Sequence, residues 1–144
     1  MGSLLRTFEG GCHCGAIGFS FRTSRPVTEW SLRACQCGFC RAHAARTTSD
    51  PSGRLAFHVR EADALQHYRF ELMTADFLLC RACGIYLGAQ IATARGAFGI
   101  INVLALAPQP AGLPVAAKAD YGSEDTSNRI ARRERQWTPL ERLV

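Results

Sequence analysis

Short stretches of alternating apolar and polar residues dominate the first two thirds of the chain. Their apolar positions are Ile17, Phe19 and Phe21; Trp30, Leu32 and Ala34; Leu55, Phe57 and Val59; and Tyr68 with Phe70. A period of two is typical of half-buried β-strands. Two more uniformly apolar runs, 77–79 and 97–106, predict more fully buried strands. Because Gly, Pro, Ser and Asp interrupt these runs, the pattern predicts a mainly β domain, either a sandwich or a small curved sheet.

Helical patterning is confined to two short segments. Residues 41–46 have helical composition but are few, so residues 127–137 are the better candidate for a short C-terminal helix. Ser127 is the predicted N-cap, and Ile130 and Trp137 lie on a narrow apolar edge. Interspersed acidic residues predict a solvated helical face, although the segment could also cover a metal site or form an oligomer contact. Its basic residues are Arg129, Arg132, Arg133 and Arg135.

Composition indicates one soluble globular domain spanning residues 1–144. The chain is 47% hydrophobic and 20% charged, which is ordinary for a folded domain. It has no apolar run long enough to span a membrane and no segment typical of an export signal, so we expect a cytoplasmic protein. The formal charge is +5, but the basic residues are scattered and do not interleave with aromatic ones. Nucleic acid is therefore not a predicted partner.

The seven cysteines fall into three groups, and this grouping indicates more about function than the net charge does. An odd number excludes a fully paired disulfide framework within one chain. Spacings of C-x-C and C-x-x-C allow the sulfurs of one tight turn to bind one metal ion, and structural zinc takes four such ligands. The groups are Cys12 and Cys14; Cys35, Cys37 and Cys40; and Cys80 and Cys83.

Counting ligands predicts two zinc ions per chain. The first and third groups together supply four sulfurs for a closed structural site, which is the only partition that keeps every group whole. Cys35, Cys37 and Cys40 then leave one position open, as in catalytic zinc sites, and this second site could be only partly occupied. Seven thiolates would add seven negative charges and two Zn²⁺ ions four positive ones, so the formal charge falls from +5 to +2.

Four segments carry a family resemblance. GGCHCGAIGFSF, CQCGFCRAHAA, FLLCRACGIYLGA and GIINV resemble the glutathione-dependent formaldehyde-activating enzyme (GFA) family, also called the centromere protein V (CENP-V) domain family. The resemblance covers about residues 10–106 and leaves 107–144 as a C-terminal extension. It implies an Mss4-like β fold, a structural zinc on Cys12, Cys14, Cys80 and Cys83, and a catalytic zinc on Cys35, Cys37 and Cys40.

The resemblance also implies an activity. Members are named for joining glutathione to formaldehyde to give S-(hydroxymethyl)glutathione, a carbon–sulfur lyase type of reaction. A small thiol such as glutathione and an aldehyde are therefore the expected partners. Arg41 and Arg46 follow the middle cysteine group and are candidates to bind the carboxylates of glutathione, unless they are solvated surface residues.

One position departs from the family pattern. Members usually carry a small hydroxyl residue and then Gly shortly after the middle cysteines, whereas this chain has His43 and Ala44. His43 lies three positions after Cys40, so it could complete the second zinc site as a fourth ligand. It could instead shuttle protons beside an open zinc, or face solvent.

Other functions stay open on the sequence alone. The protein could be a non-catalytic zinc-stabilised binding module, or a glutathione carrier rather than an enzyme. A thiol redox enzyme of the related Mss4-like type, such as a methionine sulfoxide reductase, needs a nucleophilic cysteine beyond its metal ligands. If both zinc sites fill, all seven cysteines of this chain are ligands and none is spare for that role.

Overall fold

Two β-sheets built from eleven short strands form the protein in a computed structural model, which describes residues 4–144. Numbered in chain order, the strands are β1 (Arg6–Gly11), β2 (Ile17–Thr23), β3 (Arg33–Cys35), β4 (Thr47–Thr48), β5 (Arg54–Val59), β6 (Leu65–Tyr68), β7 (Asp76–Cys80), β8 (Tyr86–Thr93), β9 (Gly96–Asn102), β10 (Ala117–Ala119) and β11 (Thr138–Pro139). The helices are α1 (Gly38–Ala42) and α2 (Thr126–Gln136), with single 3-10 turns at Val27–Glu29, Ala62–Ala64 and Val103–Ala105.

The sheets are almost entirely antiparallel and pack together across one of two buried clusters. The smaller has the order β1-β2-β5, and the larger has the order β10-β3-β4-β9-β8-β7-β6, with β11 added beside β9. Only β10 and β3 pair in parallel among the described strands. Phe19 and Phe57 of the small sheet pack in the same buried cluster as Leu78 and Leu87 of the large one. The predicted mainly β fold with a short C-terminal helix is confirmed.

The alternating stretches correspond to strands, with two differences at their ends. Phe19 and Phe57 are buried on β2 and β5, as the period of two predicts. Trp30 and Leu32 are also buried, but they precede β3 because that strand begins only at Arg33. Phe70 likewise lies beyond the end of β6.

Sequence patterning missed the most deeply buried strand. The first six residues of β8 are all buried, because this strand lies between β7 and β9 and both of its faces are covered. A strand covered on both faces does not alternate, so it leaves no period of two in the sequence. Gly88 permits this packing, since a Cβ there would collide with the carbonyl oxygen of Ile100.

The C-terminal helix corrects two expectations. Its N-cap is Asp125 rather than Ser127, because the Asp125 carboxylate accepts a hydrogen bond from the Asn128 amide at 2.8 Å. The expected solvated arginine face is wrong, because three arginines of the helix are buried against the large sheet and its loops. Their relative exposures are 7%, 8% and 6% for Arg129, Arg132 and Arg133.

The fold places the cysteine groups in two regions. Cys12 and Cys14 lie between β1 and β2, and Cys80 ends β7 just before a turn that contains Cys83. The remaining three lie where β3 passes into α1. No helix within residues 4–144 combines the length and apolar content that crossing a bilayer requires.

Candidate metal centres and the adjoining cavity

Four cysteines from two distant parts of the sequence meet in one centre. The Sγ atoms of Cys12 and Cys14 are 3.7 Å apart, and those of Cys14 and Cys80 are 3.6 Å apart. All four sulfurs, including that of Cys83, lie within 4.8 Å of one another. Tetrahedral zinc with Zn–S bonds of about 2.3 Å places its sulfurs about 3.8 Å apart, whereas a disulfide needs about 2.05 Å. The geometry therefore fits a zinc ion and excludes a disulfide between these pairs.

Tight turns and backbone amides orient the four sulfurs. The Ile17 amide donates to Cys12 Sγ and the Cys83 amide donates to Cys80 Sγ, each at 3.4 Å. Gly15 and Gly84 follow the two pairs with φ of 82° and 84°, a conformation that glycine adopts without strain. Amide donors to sulfur stabilise thiolate ligands. The centre joins the β1–β2 hairpin of the small sheet to β7 of the large one.

The second centre contains three sulfurs. Those of Cys35, Cys37 and Cys40 lie within 4.8 Å of one another. Cys37 caps α1, where its sulfur accepts a hydrogen bond from the Cys40 amide at 3.4 Å. Hydrogen bonds from the Cys35 and Cys40 thiols hold the pKa of Cys37 far below its usual range, and the same contacts raise the pKa of Cys40. A bound metal would displace the thiol protons of the cluster.

A cavity of about 250 Å³ adjoins this three-cysteine centre. All three cysteines line it, together with aromatic and apolar side chains that include Phe70, Phe77 and Trp137. Four arginines complete the wall: Arg33 from β3, and Arg129, Arg132 and Arg133 from α2. The cavity is the place where a molecule bound to the centre would extend.

Glu124 neutralises part of this arginine wall. Its carboxylate accepts hydrogen bonds from Arg132 Nε and Nη2 at 2.8 and 3.0 Å, and from Arg129 Nε at 3.3 Å. Arg129 also contacts Glu71 at 3.1 Å and the Tyr121 carbonyl at 2.7 Å. The bidentate hydrogen bonds from Arg132 lower the pKa of Glu124. These ion pairs explain why the helix buries Arg129 and Arg132, which the sequence suggested were solvated.

The three tentative site residues lie outside the cavity. His43 is not a member of the three-cysteine group; its ring centroid is 4.5 Å from that of Phe39 and 5.7 Å from that of Tyr86. Arg41 and Arg46 are exposed, and Arg46 donates to the carbonyls of Ala44 and Ala45, each at 3.2 Å. Their predicted roles stay predictions.

Sequence reasoning missed the arginines that do line the cavity. Arg33 lies two residues before Cys35, so its side chain projects from the same face of β3. The spacing between Arg33 and Cys35 therefore indicates from sequence alone that Arg33 lies beside the second centre. No sequence pattern indicates the burial of the α2 arginines, because it depends on contacts with Glu124, Tyr121 and Thr74.

Comparison with known proteins agrees with the geometry. The profile of the glutathione-dependent formaldehyde-activating enzyme family matches residues 7–121, which extends beyond the predicted 10–106 and ends before α2. A protein of Rhodobacter sphaeroides with a solved crystal structure is similar to this chain at 29% identity and a TM-score of 0.57. The alignment covers 77% of this chain and 99% of that one.

Proposed function

This chain belongs to the glutathione-dependent formaldehyde-activating enzyme family, and on that premise we propose that it is a zinc-dependent enzyme of the carbon–sulfur lyase type. Its reaction joins a thiol, glutathione in the first instance, to an aldehyde such as formaldehyde. The observation that carries the proposal is the three-cysteine centre that lines a cavity. A purely structural centre would have no need of an adjoining cavity.

Cys35, Cys37 and Cys40 are the residues that would hold the catalytic zinc, and Cys12, Cys14, Cys80 and Cys83 the structural one. Zinc on three thiolates would supply a fourth position at which a substrate thiol binds as its thiolate. In the reaction a carbon–sulfur bond forms between the thiol sulfur and the aldehyde carbon. The aldehyde C=O π bond breaks, and the proton lost by the thiol ends on the new hydroxyl group.

The residues of the cavity contribute mainly by positioning. Phe70, Phe77 and Trp137 provide apolar walls beside the cysteines. Holding a thiol and an aldehyde together in such a space converts a bimolecular step into an effectively unimolecular one. This matters because three thiolates make a bound zinc a weak Lewis acid, so polarisation of the aldehyde contributes less than proximity.

The organisation of the chain suits this proposal. We infer that residues 1–144 act as one domain, in which α2 from beyond the family match completes the cavity wall. Seven free cysteines suit a compartment in which thiols stay reduced, and we propose the cytoplasm.

NMR exchange spectroscopy of glutathione with formaldehyde tests the activity. The zinc-loaded protein should accelerate exchange between free glutathione and the adduct, and Cys37→Ser should abolish the acceleration. Arg95→Gln is a matched control, because Arg95 is exposed in the β8–β9 turn and does not line the cavity. Absence of acceleration by the fully loaded protein would overturn the enzymatic proposal. If glutathione still bound, a carrier function would replace it.

A further inference from the structure

Two arginines of the cavity wall lack an acidic partner. Arg129 and Arg132 form ion pairs with Glu124 and Glu71. Arg33 and Arg133 form no ion pair with any carboxylate within residues 4–144. A buried charge without a counter-ion is destabilising, so such groups are commonly retained for a function.

Arg133 is oriented by neutral groups. Its Nη1 donates to the Thr74 hydroxyl at 2.6 Å, and its guanidinium carbon lies 4.8 Å from the centroid of the Trp137 ring. Its Nε is buried and has no hydrogen-bond acceptor in the described part of the chain. Only 6% of the residue is exposed, and this burial lowers the pKa of Arg133 to about 10, so the group stays protonated at neutral pH.

Arg33 is held in the same way. Its Nη2 donates to the Ser49 hydroxyl at 2.8 Å, and that hydroxyl donates in turn to the Gln136 carbonyl at 2.6 Å. Arg33 is half-buried, and its side chain lines the cavity. Hydroxyl partners fix the direction of both guanidinium groups without neutralising their charge.

Two of the three carboxylates beside the cavity are already paired with arginines. Glu71 is paired with Arg129, and the Asp120 carboxylate accepts a hydrogen bond from the Gly122 amide at 2.9 Å. Glu124 pairs with both Arg129 and Arg132. Of the charged residues that line the cavity, the Asp120 carboxylate and the guanidinium groups of Arg33 and Arg133 therefore have no ion pair within residues 4–144, so the unpaired charge is positive on balance.

We propose that Arg33 and Arg133 form an anion subsite. This subsite binds a carboxylate of the thiol substrate while the substrate's sulfur lies at the centre formed by Cys35, Cys37 and Cys40. Guanidinium groups bind carboxylates through paired, charge-assisted hydrogen bonds. The subsite makes the protein selective for thiols that carry a carboxylate over neutral ones. The identification of the anion as part of the substrate rests on the proposed function.

The test separates the subsite from the zinc chemistry. S-methylglutathione keeps both carboxylates but has no thiol, and its diethyl ester has neither carboxylate free. Calorimetric titration of the zinc-loaded protein should show that S-methylglutathione, the acid, binds about tenfold more tightly than its diethyl ester. Arg133→Gln and Arg33→Gln should each remove most of that preference, and Arg95→Gln should leave it unchanged. The ¹⁵N–¹H signal of Arg133 Nε should shift with the acid and not with the ester.

Each outcome has a definite meaning. Equal binding of acid and ester by the wild-type protein would overturn the subsite without using any variant. Unchanged acid binding by a folded Arg133→Gln protein would overturn the assignment to Arg133. Acid preference without acceleration of the glutathione–formaldehyde reaction would leave the subsite standing and overturn the proposed activity. Equal turnover of glutathione and its diethyl ester would support the proposed activity and overturn the subsite.

Discussion

The guanidinium carbon of Arg132 lies 3.5 Å from the centroid of the Tyr121 ring, in a cation–π contact. Tyr121 is the last residue of the family match, and Arg132 belongs to the helix that follows it. The same guanidinium makes two hydrogen bonds to Glu124, at 2.8 and 3.0 Å. These contacts hold α2 against the cavity, so a segment beyond the family match forms part of the site.

Glu124→Gln should weaken this attachment in a pH-dependent way. The arginines lower the pKa of Glu124 in the folded protein, so its contribution is fully present above the unfolded pKa of about 4.3. It is lost as the pH falls through the folded pKa. Urea unfolding at pH 7 should show the variant less stable by about 2 kcal/mol, and the difference should shrink below pH 4.

The matched control for that experiment is Glu61→Gln. Glu61 is exposed and makes no ion pair within residues 4–144. Its substitution should change the free energy of unfolding by less than about 0.5 kcal/mol at either pH. A difference between wild type and Glu124→Gln that persisted at low pH would show that lost packing, and not the ion pair, causes the effect.

Metal analysis of cysteine variants should separate the two centres. We expect two zinc ions per wild-type chain and one in both Cys80→Ser and Cys37→Ser. Cys80 links the two sheets, so its loss should also lower the free energy of unfolding, on the order of 5 kcal/mol. Cys37 belongs to a local turn between β3 and α1, so its variant should stay folded and melt near the wild-type temperature.

Elemental analysis by mass spectrometry and thermal melts by circular dichroism measure these two quantities. One zinc per wild-type chain would contradict the two-centre assignment and would leave spare thiols for redox chemistry. Equal destabilisation in the two variants would instead mean that both centres support the fold.

How far the sequence predicts the site depends on the range of the interactions. The cysteine groups are recognisable because each forms within one turn, and ligand counting then pairs the first with the third. The burial of Arg133 is not recognisable, because its partners Thr74 and Trp137 are brought to it by the folding of separate segments. The alternating charges of α2 are typical of a solvated helix face, and only the folded structure shows that Glu124 and Tyr121 pack against its arginines.

Gly88→Ala should be strongly destabilising, because β8 lies closely packed between β7 and β9. The added Cβ would collide with the Ile100 carbonyl and lie 3.1 Å from the Phe57 ring. We expect a loss of about 3 kcal/mol in the free energy of unfolding by urea, typical of overpacking in a core. In Gly38→Ala, the control, the Cβ has no atom within 4 Å, and stability should be retained. A fully stable Gly88→Ala protein would contradict the packing of this strand.

His43→Ala tests whether the second centre has an open position. The His43 ring packs against Phe39 and Tyr86, and the residue is outside the group formed by Cys35, Cys37 and Cys40. Cobalt-substituted His43→Ala should therefore keep the visible ligand-field band of the wild-type protein, whereas Cys37→Ser should change it. A shifted band in His43→Ala would identify His43 as a fourth ligand. The centre would then be closed, and no position would remain for a substrate thiol, so this spectrum also bears directly on the proposed activity.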